Sequence, residues 1–113
     1  MKLWFRILYV MLTWRKRSKL TIDEVSKTSF RVWPSDLDIY RHMNNGVFLT
    51  LMDLGRYDQG LRTGFWQKWQ KLGWYPIVVN STISYRKSLE PWQKFDIETK
   101  VVGWDDVAYF IEQ

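Results

Sequence analysis

Two carboxylates, a histidine and a pair of asparagines crowd into ten residues, Asp36-Leu37-Asp38-Ile39-Tyr40-Arg41-His42-Met43-Asn44-Asn45, and an apolar helical pattern begins directly after them. A helix N-terminus carries unpaired N–H groups and the positive end of the helix dipole. Such an end can hold an oxyanion as charge develops on a reacting carbonyl. A carboxylate beside it, here Asp38, could attack the carbonyl carbon directly or take a proton from water. The plainer use of the same residues is structural, because loop aspartates and asparagines cap helices. The residues alone leave both uses open for Asp38 and Asn45. Asp36 reads more simply as a loop or capping residue.

Much other chemistry is excluded. The sequence has no cysteine, which removes a thiol nucleophile, a disulfide frame and cysteine-bound zinc. His42 is the only histidine, so no histidine-pair metal motif exists, and no metal or redox cofactor is expected. No Gly-x-Ser-x-Gly accompanies that histidine to form a serine triad. The absence of cysteine fits a reducing compartment, and a cytoplasmic location is the expectation.

The elements that must position these residues follow from periodicity. Residues 28–33 read as a strand with Phe30 and Val32 on one face, ended by Pro34. Residues 46–61 read as a helix: Val47, Leu51 and Leu54 line one side, with Phe48 and Met52 widening the stripe and Leu49 beyond it. A helix apolar nearly all round is a buried one, and Asn44 or Asn45 is its natural cap. Residues 65–72 predict a short helix stopped by Gly73. Val79, Ser81, Ile83 and Tyr85 alternate as a strand would. Phe95, Ile97, Thr99 and Val101 alternate with Asp96, Glu98 and Lys100 as a half-buried antiparallel strand. A turn at Gly103-Trp104-Asp105-Asp106 leads to a last strand from Val107. The expected fold is α+β: one antiparallel sheet wrapped around one long buried helix. The final strand would have an open outer edge, so the last strands of the domain are expected to lie beyond this sequence.

Charge is distributed unevenly. Residues 1–20 hold Lys2, Arg6, Arg15, Lys16, Arg17 and Lys19 and no acid; the remaining chain has eleven Lys and Arg against twelve Asp and Glu. The body is thus not basic, which argues against a nucleic-acid partner. The apolar stretch 7–14 is too short for a bilayer span of about 20 residues. Beside its cationic run it suits either an interfacial helix on an anionic membrane or a helix packed on its own domain or a partner subunit. The expected organisation is an apolar and basic segment, 1–20, followed by a domain over 25–113.

The pattern Asp36-x-Asp38-x-x-x-His42-x-Asn44-Asn45 before a helix resembles the 4-hydroxybenzoyl-CoA thioesterase branch of the hotdog fold. The likeness continues through Val47-Phe48, Asp53, Arg56, Tyr85-Arg86-Lys87-Ser88-Leu89-Glu90-Pro91 and Gly103-Trp104-Asp105-Asp106. Within that branch it is similar to the thioesterase-superfamily-member-six-like group, which also opens on a short apolar segment and basic residues. The resemblance implies hydrolysis of an acyl-CoA thioester, with Asp38 as the catalytic carboxylate. Asn45 would orient substrate or water, and the N–H groups near Asn45, Gly46 and Val47 would form the oxyanion site. His42 and Asn44 would stand beside the substrate, and Arg86 and Lys87 would meet the phosphates of coenzyme A. Asp53 is a second catalytic candidate, although its i,i+3 spacing to Arg56 suits an ion pair. Hotdog subunits pair through their sheets around shared sites, which implies a homodimer or tetramer. A hydratase reading fits less well, since His42 lies four positions after Asp38 with no preceding Gly or following Pro. A non-catalytic, membrane-associated lipid-binding or scaffolding protein is the remaining alternative.

Overall fold

The computed structural model describes residues 2–21, 24–105 and 108–113. Helix α1 (Lys2–Thr13) runs into a 3-10 turn at Trp14–Lys16. Strand β1 (Ser26–Arg31) is followed by a second 3-10 turn, Pro34–Asp36. Helix α2 (Asn45–Thr63) and helix α3 (Phe65–Leu72) come next, then strands β2 (Lys94–Trp104) and β3 (Tyr109–Glu112). The strands form one antiparallel sheet in the order β1-β2-β3, and α2 packs against β1 and β2. This is the expected α+β arrangement of helix on sheet.

Register explains what the sheet presents to the helix. Thr28 pairs with Ile97 and Phe30 with Phe95. Along β2, Ile97, Thr99 and Val101 are buried while Asp96, Glu98 and Lys100 face outward, as period-two alternation requires. Val32 lies beyond the last residue of β1 yet stays fully buried, its N–H donating to Gln93 O and its carbonyl accepting from Trp92 N, both at 2.9 Å. Phe30, Val32, Met43, Leu51, Leu54, Leu61 and Ile97 form one core with Val10 from α1. Helix and sheet come unusually close at Gly55, where a Cβ would stand 2.9 Å from Ile97 Cγ2 and 3.0 Å from Thr99 Oγ1. Gly73, at φ 73°, ends α3 in the left-handed conformation, as anticipated.

One strand expectation fails. Val79, Ser81, Ile83 and Tyr85 belong to an irregular, largely exposed segment with no ladder partner among the described residues. Alternation supplies a preference for strand, but pairing of the backbone N–H and C=O groups is what makes one. The expected turn at Gly103-Trp104 also moves: both residues stay in β2, opposite Phe110 and Tyr109. The chain reverses from Asp105, whose carboxylate accepts from Ala108 N at 2.8 Å. Asp106 and Val107 lie outside the described residues.

Helix α2 is not enclosed all round as its apolar first half suggests: in that half only Leu51 and Leu54 are buried and Leu49 is 45% exposed, whereas the polar second half is buried from Asp58 to Arg62. Asp58 has no exposed surface, and Gln59 and Arg62 are nearly as enclosed. Five donors surround the Asp58 carboxylate. Arg17 gives two hydrogen bonds to Oδ1; Ser26 Oγ (2.9 Å), Thr28 Oγ1 (3.3 Å) and Arg62 Nη1 (3.1 Å) converge on Oδ2. Arg62 continues outward to Ser18, donating to its carbonyl at 2.9 Å and its hydroxyl at 3.2 Å. This network locks the segment after α1 and strand β1 onto α2. It also explains why Ser26 and Thr28, polar and fully buried, point inward from β1.

A buried charge costs several kcal/mol when its partners are removed. Replacing Asp58→Ala strands two guanidinium groups, and urea unfolding is expected to show a loss of about 3–5 kcal/mol. Asp53→Ala removes only a half-exposed pair with Arg56, so its expected loss is below about 1 kcal/mol.

Candidate functional site

The loop before α2 is a miniature hairpin. Leu37 and Met43 bridge in antiparallel fashion, and between them Asp38 N donates to His42 O (2.9 Å) while Arg41 N donates to Asp38 O (3.0 Å). The Asp38 side chain closes the turn from within, with Oδ1 accepting from Tyr40 N at 2.8 Å and from His42 N at 3.3 Å. These bonds hold Arg41 at φ 62°, a conformation that glycine would adopt more readily. Oδ2 of Asp38 has no hydrogen bond among the described residues. The carboxylate is therefore oriented by one oxygen and offers the other.

The base of the loop is fixed from two sides. Arg6 reaches across from α1 and donates to both Asp36 oxygens, at 2.9 and 2.6 Å, and to Arg31 O at 2.9 Å. Asp36 in turn accepts from Trp33 N through Oδ2, and its carbonyl accepts from Asn44 N, both at 2.8 Å. Asp36 is thus a buried structural anchor, in line with its reading as a loop residue. Met43 N donates to Leu89 O at 3.0 Å and ties the loop to the segment that carries Arg86 and Lys87.

Asn44, not Asn45, caps α2: its Oδ1 accepts from Gly46 N at 2.7 Å. Val47 N donates to Asn44 O at 3.0 Å. Two of the three N–H groups expected at an oxyanion site are therefore already engaged, because the cap satisfies them. The Asn45 N–H is the donor of that first turn with no acceptor among the described residues. It would receive an anion at the positive end of a 19-residue helix.

Asp38, His42, Asn45, Arg86 and Lys87 converge on one polar recess of about 190 Å³. His42 Nε2 lies 3.4 Å from Glu90 Oε1, so its exposed edge is turned toward that carboxylate. Asp53 is not part of the recess. It sits two turns down α2, bonded to Arg56 as the i,i+3 spacing predicted. Gly46 and Val47 lie beside the recess rather than lining it.

Sequence reasoning missed the residues that give the recess a neighbour. Met43 and Phe48 line both the polar recess and an adjoining apolar cavity of about 260 Å³. Leu51, Met52, Leu89, Phe95 and Ile97 complete the apolar walls. Phe48 meets the Tyr85 ring edge-on at 5.7 Å, and the Tyr85 hydroxyl donates to Asn45 O at 3.4 Å. In the sequence Phe48 belongs to an apolar helical stripe and to the family likeness, and neither marks it as a wall of the recess. Its position one turn from the helix start, on the loop-facing side, was the available signal.

Comparison with known proteins gives a consistent result. The family model for the Thioesterase-like superfamily matches residues 32–113. The chain is 34% identical over 113 residues to Protein THEM6 of Xenopus laevis, covering 97% of this chain and 55% of that protein. It is 35% identical over 83 residues to Protein THEM6 of Danio rerio, covering 74% and 41%. Protein THEM6 of Drosophila melanogaster is 32% identical over 79 residues, covering 69% and 41%. The chain thus spans about half the length of the curated relatives it matches. No solved structure matches it.

Proposed function

The chain belongs to the Thioesterase-like superfamily, and from that premise we propose that it takes part in hydrolysis of an acyl-CoA thioester to free acid and CoA. The observation that carries this reading is the junction at Met43 and Phe48 between a polar recess holding Asp38 and an apolar cavity beneath α2. A thioester has the same two-part character. Its acyl chain seeks apolar surface, while its CoA arm carries phosphates that Arg86 and Lys87 can meet with charge-assisted hydrogen bonds.

In this reading the thioester carbonyl sits over the N-terminus of α2. The Asn45 N–H and the helix dipole stabilise the oxyanion as it forms. The free oxygen of Asp38 has two routes. It can attack the carbonyl carbon to give a mixed anhydride that water then cleaves, releasing CoA thiol first. It can equally draw a proton from water as that water attacks. Both end in carboxylic acid plus CoA, and both use the orientation that Tyr40 N and His42 N impose on Asp38. The Asn45 side chain at the rim would orient substrate or water. The same fold without turnover would serve as a lipid-binding or scaffolding protein, and the apolar cavity is the feature favouring that second reading.

The reading carries a homodimer or tetramer as well. Trp74, Tyr75, Ile77, Val78 and Val79 are each more than half exposed. Apolar surface left open to this extent suits a partner subunit.

Free-thiol release from acyl-CoA substrates tests the chemistry. Wild type is expected to turn over, Asp38→Asn to lose at least about 100-fold in kcat with its fold intact, and Asp53→Asn to keep most of its activity. A folded wild type that releases no thiol would move the assignment to lipid binding or scaffolding. Light scattering is expected to give a dimer or tetramer, and a strictly monomeric species would remove the shared-site arrangement.

A further inference from the structure

Helix α1 has two apolar faces, and only one is used. At 100° per residue, Arg6, Ile7, Val10 and Thr13 fall on one arc. Val10 is 1% exposed, Ile7 and Trp14 pack on the core, and Arg6 reaches Asp36. The opposite arc, about 120° wide by the same geometry, holds Trp4, Phe5, Leu8, Met11 and Leu12. These side chains are 42–73% exposed. An apolar stripe of that width normally faces a core, yet here the core lies behind the helix.

The charges around the stripe indicate what covers it. Of the cations after Met1 whose side chains are described in this segment, Arg6 and Arg17 turn inward to Asp36 and Asp58. Arg15, Lys16 and Lys19 remain exposed and make no ion pair among the described residues. They follow the stripe directly, and residues 1–20 contain no acid to oppose them. Apolar and aromatic side chains flanked by unneutralised cations complement the interface of a bilayer with anionic headgroups. No helix among the described residues is long and apolar enough to cross a membrane. The bonds from Arg6 and Arg17 also keep α1 on the domain.

We propose that the outward face of α1 docks in the plane of an anionic lipid surface. Trp4, Phe5, Leu8, Met11 and Leu12 enter the interface while Arg15, Lys16 and Lys19 lie against the headgroups. The domain itself takes the place of the polar face that an isolated interfacial helix would turn to water. Docking in this manner stands independently of any chemistry at Asp38. It also has a geometric consequence: through the Arg6–Asp36 bonds, the docked helix is joined to the base of the loop that carries Asp38.

Co-sedimentation with phosphatidylcholine vesicles, with and without phosphatidylserine, tests the proposal. Wild type is expected to partition onto the phosphatidylserine vesicles and to be released by high salt. Leu8→Glu with Leu12→Glu, which alter only exposed positions, is expected to lower binding at least about ten-fold while circular dichroism stays unchanged. Arg15→Gln with Lys16→Gln and Lys19→Gln is expected to abolish the preference for phosphatidylserine. Because the protein has no cysteine, Leu8→Cys can carry a single environment-sensitive dye, whose emission is expected to shift to the blue on binding. Three results would overturn the proposal: no partitioning by wild type, binding unaffected by the Leu8 and Leu12 substitutions, or a wild-type dimer that those substitutions dissociate without any vesicle binding. The last would assign the face to a second copy of the chain.

Discussion

Asp58 is a charge with no access to water, and the fold is arranged around neutralising it. A carboxylate in that position is tolerated only when hydrogen bonds and opposite charge replace its hydration. Arg17, Ser26, Thr28 and Arg62 do so from three separate parts of the chain. Satisfying one side chain therefore fixes how the N-terminal segment and β1 sit on α2. With the close approach at Gly55, this sets the position of the helix across the sheet, and so the direction in which its N-terminus points.

That N-terminus is the fixed point from which the site is built. Asn44 caps it and receives support from Asp36, which Arg6 holds from the far side. The loop between Asp36 and Asn44 then has little freedom, and the Asp38 turn within it is closed by its own side chain. The result is a carboxylate held near a helix dipole with one oxygen available. The same loop supplies Met43, whose side chain is buried where polar recess and apolar cavity meet. A single short segment thus positions both the Asp38 carboxylate and the boundary between the polar recess and the apolar cavity.

How much of this the sequence reveals depends on the kind of signal. Helix α2, its asparagine cap, α3 with its glycine stop and the alternation along β2 are local patterns, and local patterns survive in a single sequence. The Asp53–Arg56 pair is legible for the same reason. The Asp58 network is not, because Arg17 and Ser26 are distant in the chain from their acceptor; Arg17 reads instead as one of a run of surface cations. The first residues of β1 are missed since Ser26 and Thr28 face inward for a polar reason, whereas periodicity reports only apolar burial. The segment around Val79 fails in the opposite sense: it has the pattern of a strand and lacks the pairing. Which N–H groups at the start of α2 are engaged is not legible in the sequence either, since both Asn44 and Asn45 suit the cap and only the fold shows Asn44 accepting from Gly46 N and Val47 N.

The junction of polar recess and apolar cavity is the claim on which the functional reading rests, and the methionines report on it. The chain has four, at positions 1, 11, 43 and 52. Met43 and Met52 line the apolar cavity, whereas Met11 lies on the outer face of α1. Methyl-labelled methionine NMR, with a non-hydrolysable thioether analogue of an acyl-CoA as titrant, would test it most directly. The account predicts that the Met43 and Met52 methyl signals move with the acylated analogue, that CoA alone leaves Met52 in place, and that Met11 stays still in both. An acylated analogue that binds without moving Met43 would contradict it.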